Sequence, residues 1–235
     1  MKKVLALVLV VVMALGLASC GTTETAKTTE GVKVGFIFLH DENSTYDKNF
    51  MDAATAAKAS LGLKDDQVMF KTNIPETAEC YEAAAELADA GCNLIFADSF
   101  GHEDFIIQAA KEFPDVTFCH ATGTKAHTEN LPNYYNAFAS IYEGRFLAGY
   151  VAGLKLNEMI ENGTITAEVA VIGYVAAFYF EEVISGFSAF YLGARSVCPS
   201  ATMITLKADS WSDPVKEGQI AQSLIDQGAV LISQH

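Results

Sequence analysis

The fold of this protein is decided by Val169–Pro214, which reads VAVIGYVAAFYFEEVISGFSAFYLGARSVCPSATMITLKADSWSDP. Its first residues, Val169–Gly173, form a short apolar run closed by glycine, which predicts a buried strand. A helix is predicted next, because apolar residues recur three and four positions apart and Glu181 and Glu182 occupy a first turn where the helix dipole favours anions. Ala201–Leu206 predicts a second strand. The stretch is therefore a strand, helix, strand unit of an α/β protein.

Aromatic side chains are concentrated in the two segments that follow these strands. They are Tyr174, Phe178, Tyr179 and Phe180 in residues 174–180, and Trp211, the one tryptophan of the chain, in residues 207–212. Ligands of open α/β sheets bind at the carboxyl ends of the strands, so we expect a binding site at these two turns. Asp213 and Pro214 are expected to be the N-cap and first residue of the next helix.

Two segments of this region carry a resemblance to a known family. They are GYVAAFYFEEVISGFSAFYLGARSVCPS (173–200) and DSWSDPVKEGQIAQSLIDQGAVLISQH (209–235), and they closely resemble the basic membrane lipoprotein (BMP) family of substrate-binding proteins. That family feeds purine-nucleoside or nucleobase ABC importers. The resemblance implies a type I periplasmic-binding fold, with two doubly wound parallel-sheet lobes, a hinge and a ligand between the lobes. It also implies a small-molecule ligand and ABC permease subunits as partners.

The N-terminus predicts export and a lipid anchor. Lys2 and Lys3 precede an uncharged apolar run of 15 residues, which is shorter than the roughly 20 residues needed to span a bilayer, so residues 1–19 are a predicted signal peptide. The run ends in Leu-Ala-Ser-Cys, which resembles the bacterial lipobox and implies lipidation of Cys20. Residues 20–31, rich in threonine, are a predicted flexible tether between the membrane and the folded lobes.

Strand and helix patterns alternate through the rest of the chain. The strands expected in a first parallel lobe (32–140) are Val32–Leu39, Val68–Lys71, Asn93–Ala97 and Val116–His120, with Tyr134–Phe138 as a candidate fifth. Residues 141–165 are expected to form a connecting helix and hinge region, and residues 166–235 a second lobe. Because the chain ends after a predicted strand at Ala229–Ser233, we expect the second lobe to be incomplete.

Candidate ligand contacts lie where predicted strands end. A purine offers a flat π face, which favours aromatic stacking, and polar ring edges, which favour carboxylate or hydroxyl partners. The candidates are Ser44, Tyr46, Asp98, Ser99, Phe100 and Gly101 in the first lobe and Phe178, Trp211 and Asp213 in the second. Tyr46 and the Ser-Phe-Gly run match segments of the BMP family, whereas Ser44 stands where the family often has an aromatic residue.

Each of these candidates also has an ordinary structural interpretation. Ser44 and Asp213 are good helix N-caps, and the run from Asp98 to Gly101 could be a plain strand-to-helix turn. The aromatic residues near Phe178 could belong to the core. His120 and His127 are weaker candidates, because a histidine that ends a strand usually serves structure.

Charge and composition exclude some partners. The formal net charge is −14, and removing residues 1–19 leaves 13 basic against 29 acidic residues, about −16, so nucleic acid is an unsuitable partner. Arg145 and Arg195 are the only arginines, which disfavours a free phosphate ester that needs paired guanidinium groups. A neutral ligand fits better.

Catalytic and metal-binding motifs are missing from the sequence, and no cofactor is predicted. There is no Gly-x-Ser-x-Gly, phosphate-binding loop or His-Glu-x-x-His motif. A nucleoside hydrolase would need a metal-binding aspartate cluster, and Asp41, Asp47 and Asp52 are too spread for one. The four cysteines after Cys20 lack metal-site spacing and are interpreted as small apolar residues.

A ligand-sensing lipoprotein and a sugar-binding protein remain alternatives.

Overall fold

The computed structural model describes residues 29–235. The predicted signal peptide, Cys20 and most of the predicted tether lie outside the described residues. The described chain divides into two compact units. Residues 29–120 and 126–135 form the first unit, and residues 121–125 and 136–235 form the second.

The first unit alternates strands and helices. Its elements are β1 (Val34–Ile37), α1 (Thr45–Leu61), β2 (Val68–Lys71), α2 (Ala78–Asp89), β3 (Leu94–Ala97), α3 (Glu103–Glu112), β4 (Thr117–His120), α4 (Ala126–Glu129) and β5 (Tyr134–Asn136). The sheet has the order β2-β1-β3-β4-β5, and β1, β2, β3 and β4 pair in parallel. Because Ile37 pairs with Ala97 and Ala97 with His120, three strands end level with one another. The loops that follow them therefore start at one edge.

The second unit repeats this plan around a smaller sheet. Its elements are α5 (Ile141–Glu161), β6 (Val171–Ala176), α6 (Glu181–Val197), β7 (Thr202–Lys207), α7 (Pro214–Asp226) and β8 (Leu231–Gln234). The strands are parallel, in the order β7-β6-β8. Ala176 pairs with Lys207 and Val175 with Gln234, so the strands again end at a common edge.

Helix α5, which covers most of the predicted connecting region 141–165, lies along α6 within the second unit. The two backbones approach closely at glycines. A Cβ atom on Gly149 would lie 1.8 Å from the carbonyl oxygen of Phe190, and one on Gly193 would lie 2.1 Å from that of Phe146. A side chain at either position would overlap the facing backbone, so glycine is required for this helix pair.

The predicted α/β architecture with parallel sheets is confirmed, with shifts at several element ends. The strand predicted at Val169–Gly173 runs instead from Val171 to Ala176, and Gly173 lies within it, paired with Ile204 and Ile232. Gly173 does not close the strand. Glycine occupies this position because a Cβ atom there would lie 2.6 Å from Cδ1 of Ile232. Tyr174, expected in the following turn, is a buried strand residue.

Smaller differences concern the loop after β4 and the cysteines. The polar loop contains the short helix α4, and β5 stops at Asn136 instead of Phe138. In the described chain, all four cysteines are free thiols, and Cys80, Cys92 and Cys198 are buried, as expected for small apolar residues. Burial raises the pKa of the Cys80 and Cys92 thiols. Between residues 29 and 235, no helix has both the length and the apolar character required to cross a membrane.

Candidate functional site

The loop between β1 and α1 is organised around the buried carboxyl group of Asp47. Ser44 is the N-cap of α1: its Oγ accepts from the Asp47 backbone N–H at 3.3 Å and donates to Asp47 Oδ2 at 2.5 Å. The His40 backbone N–H donates to Asp47 Oδ1 at 3.0 Å, and His40 Nδ1 lies 3.3 Å from Oδ2. The structural interpretation of Ser44 as a cap is therefore correct. Its contact with a ligand stays a prediction.

Asp98 joins this loop to the end of β3. Burial, followed by the neighbouring charge of Asp47, raises the pKa of Asp98 from 3.8 to about 8. Asp98 is 3% exposed and Asp47 is 1% exposed, so water screens the pair weakly. The carboxyl group of Asp98 therefore keeps its proton near neutral pH. The Tyr46 hydroxyl donates to the Asp98 carbonyl oxygen at 2.9 Å, so two of the predicted site loops are in contact.

The turn after Asp98 is built on Glu76, a residue that the sequence did not single out. Ser99 Oγ and the Gly101 backbone N–H both donate to Glu76 Oε1, at 2.6 and 2.7 Å. A Cβ on Gly101 would lie 2.5 Å from Glu76 Cδ, so glycine admits this side chain. Phe100, which stands between Ser99 and Gly101 in the sequence, is partly buried. Glu76 follows β2, and the rule that sites lie after strand ends could have identified it.

The histidines near this edge serve the interior of the first unit. His120 Nε2 lies 2.6 Å from the Ser99 carbonyl oxygen, and His102 Nε2 lies 2.9 Å from that of Ile74. Desolvation by burial lowers the pKa of both rings, that of His120 to about 4. Both rings are therefore neutral at physiological pH and donate from Nε2. His120 thus has the bonding of a structural histidine.

In the second unit, Phe178, Phe180 and Trp211 form an aromatic cluster where β6 and β7 end. The rings of Phe178 and Phe180 are stacked, with centroids 4.8 Å apart and planes inclined by 13°. The ring centroids of Trp211 and Phe178 lie 4.8 Å apart, with planes inclined by 60°, and those of Trp211 and Phe180 lie 6.2 Å apart. Trp211 is partly buried against the core, while Phe180 is 38% exposed. The cluster is thus anchored in the core and reaches the surface.

Asp213 fixes the end of the loop that carries Trp211. Its carboxylate accepts from the Lys216 backbone N–H at 2.9 Å, and its own backbone N–H donates to Glu217 Oε1 at 2.8 Å. With Pro214 at the first helical position, this is a reciprocal helix cap, and the predicted N-cap is confirmed. A direct contact between Asp213 and a ligand stays a prediction.

A further group beside Trp211 was not identified from the sequence. His235 Nε2 lies 3.0 Å from Glu182 Oε2, and Arg145 Nη1 donates to the Gln234 carbonyl oxygen at 3.1 Å. The His235 ring lies 6.3 Å from that of Trp211. Gln234 and His235 line a depression at the sheet edge together with Ala176, Ala208, Ser210 and Glu217. Gln234 and His235 follow the predicted strand Ala229–Ser233, so the rule that sites lie after strand ends could also have identified them.

Comparison with known proteins identifies the family of this chain. Residues 37–235 match the model of the family Bmp, described as ABC transporter substrate-binding protein PnrA-like. The chain belongs to the Bmp family. The resemblance seen in the sequence is thereby confirmed.

Two relatives and one solved structure show how far the likeness of this Bmp chain extends. A purine-binding protein of Brucella abortus (strain 2308) is 37% identical over 213 residues, 89% of this chain and 56% of the relative. A Haloferax volcanii protein named as an ABC transporter glucose-binding protein, TsgA13, is 38% identical over 149 residues, 63% of this chain and 34% of the relative. The chain therefore spans about half or less of these relatives' lengths.

The solved structure is that of ABC transporter system solute-binding proteins from Aeropyrum pernix K1. It has a TM-score of 0.72 at 18% sequence identity, covering 86% of this chain and 54% of that chain. At this identity the likeness concerns the fold alone, and it confirms the predicted periplasmic-binding fold.

The aspartates considered for a hydrolase have separate partners in this Bmp chain. Asp41 accepts from Asn43, Asp52 pairs with Lys48, and Asp47 is turned toward Ser44 and His40. Ser44 and His40 both contact Asp47, which differs from a nucleophile activated by histidine. Within residues 29–235, no group of three or more His, Cys, Asp or Glu side chains is arranged to hold a metal ion.

Proposed function

We propose that this protein is the extracytoplasmic substrate-binding component of an ABC importer and that its ligand is a purine nucleobase or nucleoside. The observation that carries this proposal is the cluster of Phe178, Phe180 and Trp211 at the carboxyl ends of β6 and β7. A purine stacks on such rings through its flat π face, and its edge needs few polar partners. Membership of the Bmp family and the likeness to a purine-binding protein of Brucella abortus support the same ligand class.

The sheet edge of the first unit supplies polar groups suited to a purine edge. Tyr46 is 46% exposed and offers a ring and a hydroxyl group, and a protonated Asp98 offers both a donor and an acceptor. Ser99 and Gly101 lie beside Asp98 on the turn held by Glu76. We assign ligand contacts to these residues together with Ser44, Phe100 and Asp213.

The anchor completes the proposal. Lipidation of Cys20, after removal of residues 1–19, would hold the protein on the outer face of the cell membrane beside its permease subunits. The Leu-Ala-Ser-Cys sequence supports this assignment, and residues 20–31 are the proposed tether.

The proposal is tested by calorimetric titration of the full chain with adenosine, inosine, guanosine and adenine, with chromatography of each mixture after incubation. We expect saturable binding of at least one purine and unchanged ligand in the chromatogram. Steady release of free base with turnover would contradict a transport role and favour a nucleoside hydrolase.

A sugar is the second candidate ligand, because the Haloferax volcanii relative is named as a glucose-binding protein and is 38% identical over 149 residues. Aromatic clusters also stack on the apolar faces of sugar rings. The same titration with glucose and galactose separates the candidates. Binding of a monosaccharide, with none of any purine, would replace the purine assignment.

A further inference from the structure

His235 is held in place by three other elements of the second unit. Its backbone N–H donates to the Val175 carbonyl oxygen of β6 at 3.0 Å. The preceding carbonyl group, on Gln234, accepts from Arg145 of α5 at 3.1 Å. Its side chain contacts Glu182, in the first turn of α6, at 3.0 Å. The imidazole ring therefore has little freedom to move independently of the sheet.

The contact with Glu182 also determines how the ring presents its nitrogens. A carboxylate only accepts hydrogen bonds, so His235 Nε2 carries the hydrogen and donates. The side chains of His235 and Glu182 are 11% and 17% exposed, so water competes weakly for this charge-assisted bond. His235 Nδ1 faces Gly186, where an added Cβ would lie 3.5 Å away. Glu182 thus orients a ring that is confined on its other side by the α6 backbone.

The rings of His235, Phe178 and Phe180 are neighbours of Trp211. The centroid of Trp211 lies 6.3 Å from His235, with planes inclined by 44°, and 4.8 Å from Phe178. Trp211 itself is in a loop that follows β7. Its orientation therefore depends on the rings around it as well as on the Asp213 cap.

We propose that Glu182 and His235 are positioning residues that orient Trp211 for stacking on the ligand, an inference that rests on the proposed function. Glu182 acts through His235, and His235 through contact with the indole. The proposed path from Glu182 to the tryptophan is the hydrogen bond between Glu182 and His235.

The single tryptophan makes the proposal directly measurable. The full chain, Glu182→Ala, Glu182→Gln and Glu181→Ala are compared by tryptophan emission and acrylamide quenching without ligand, then by titration with adenosine. Glu181 is the matched control, because it is an exposed acidic residue in the same first turn of α6. Far-UV circular dichroism checks that each variant is folded. His235→Phe keeps a ring beside Trp211 and removes the bond to Glu182.

We expect Glu182→Ala and His235→Phe to shift Trp211 emission to the red and increase its quenching in the ligand-free protein. Glu182→Gln, which keeps an accepting oxygen, should stay close to the parent. Adenosine binding should weaken about tenfold in Glu182→Ala, the cost of one charge-assisted hydrogen bond, and remain unchanged in Glu181→Ala.

Equal emission and quenching in the parent, Glu182→Ala and Glu181→Ala would overturn the positioning role, and so would a Glu182→Gln variant as altered as Glu182→Ala. If Glu182→Ala is unfolded, the comparison of His235→Phe with Glu181→Ala decides. A parent that binds no purine would refute the proposed function, while the ligand-free emission comparison would still decide whether Glu182 positions Trp211.

Discussion

The carboxyl groups of Asp47 and Asp98 are both buried in the first unit, and the charge of Asp47 raises the pKa of Asp98, although Asp47 lies in the first turn of α1 and Asp98 follows β3. The two residues come together because β1 and β3 pair in register and end at the same level. Burial and a neighbouring negative charge both disfavour an ionised carboxyl group, so Asp98 retains its proton near neutral pH. This arrangement makes the stability of the protein depend on pH.

Replacing Asp98 by asparagine should reduce that pH dependence. The folded-state pKa of Asp98 is raised from 3.8 to about 8, so an unfolded chain loses the proton near pH 4 while the folded chain keeps it to about pH 8. The stabilisation from the bound proton is therefore complete below pH 4, is lost as pH rises to 8 and stays lost above it. The side chain of the Asp98→Asn variant still donates hydrogen bonds but does not ionise. The stability of this variant should therefore fall less than that of the parent between pH 4 and pH 8.

The measurement is urea unfolding of the parent and Asp98→Asn between pH 5 and pH 9. Asp66→Asn is the control, because Asp66 is exposed and belongs to the same unit. Parallel stability curves for the parent and Asp98→Asn would show that Asp98 does not hold the proton in this way.

The close packing of α5 on α6 predicts a large difference between two glycines of one helix. In Gly149→Ala the new methyl group would meet the Phe190 carbonyl oxygen at 1.8 Å, so the helices must separate. We expect a loss of about 3 kcal/mol or more in the free energy of unfolding. Gly144→Ala, whose Cβ would have no neighbour within 4 Å, should instead stabilise α5 by about 0.5–1 kcal/mol. Thermal and urea unfolding measure both, and equal effects would contradict the observed packing.

Truncating Trp211 should weaken purine binding. A base stacked on an aromatic side chain contributes on the order of 1–3 kcal/mol, so Trp211→Ala should lower adenosine affinity about 5- to 150-fold. Trp211→Phe keeps a ring and should lose less. Calorimetry on both variants and fluorescence titration of the parent provide the test. An unchanged affinity in Trp211→Ala, together with parent emission that no purine alters, would remove Trp211 from the ligand site.

The lipid anchor predicts the fate of a Cys20→Ala variant in a bacterial host. Without the cysteine thiol, lipid attachment is impossible, so the protein should remain unprocessed or be released in soluble form. Detergent-phase partitioning and intact mass measure this, with Cys119→Ala as the matched control that should partition like the parent. A Cys20→Ala variant that still enters the detergent phase with the parent's mass would show that Cys20 is not the anchor.

The sequence by itself determined the local elements and the type of fold. The strand at Val68–Lys71 has the predicted bounds, α6 begins with Glu181 and Glu182, and Asp213 caps α7 as expected. Strand patterns, helix caps and first-turn charges depend on residues within about one helical turn of each other, so a linear reading captures them. The resemblance to the Bmp family was recognised from two stretches of the sequence, residues 173–200 and 209–235.

Only the tertiary structure decided which distant residues meet. Gly173 was misread as a strand end because the reason for its small size, Ile232, lies on β8. Residues from separate elements come together in three places: Glu76 with Ser99, Asp47 with Asp98, and His235 with Glu182. These contacts depend on strand order and register, which bring loops together at one sheet edge. That information is set by packing of the whole unit, and no local pattern contains it.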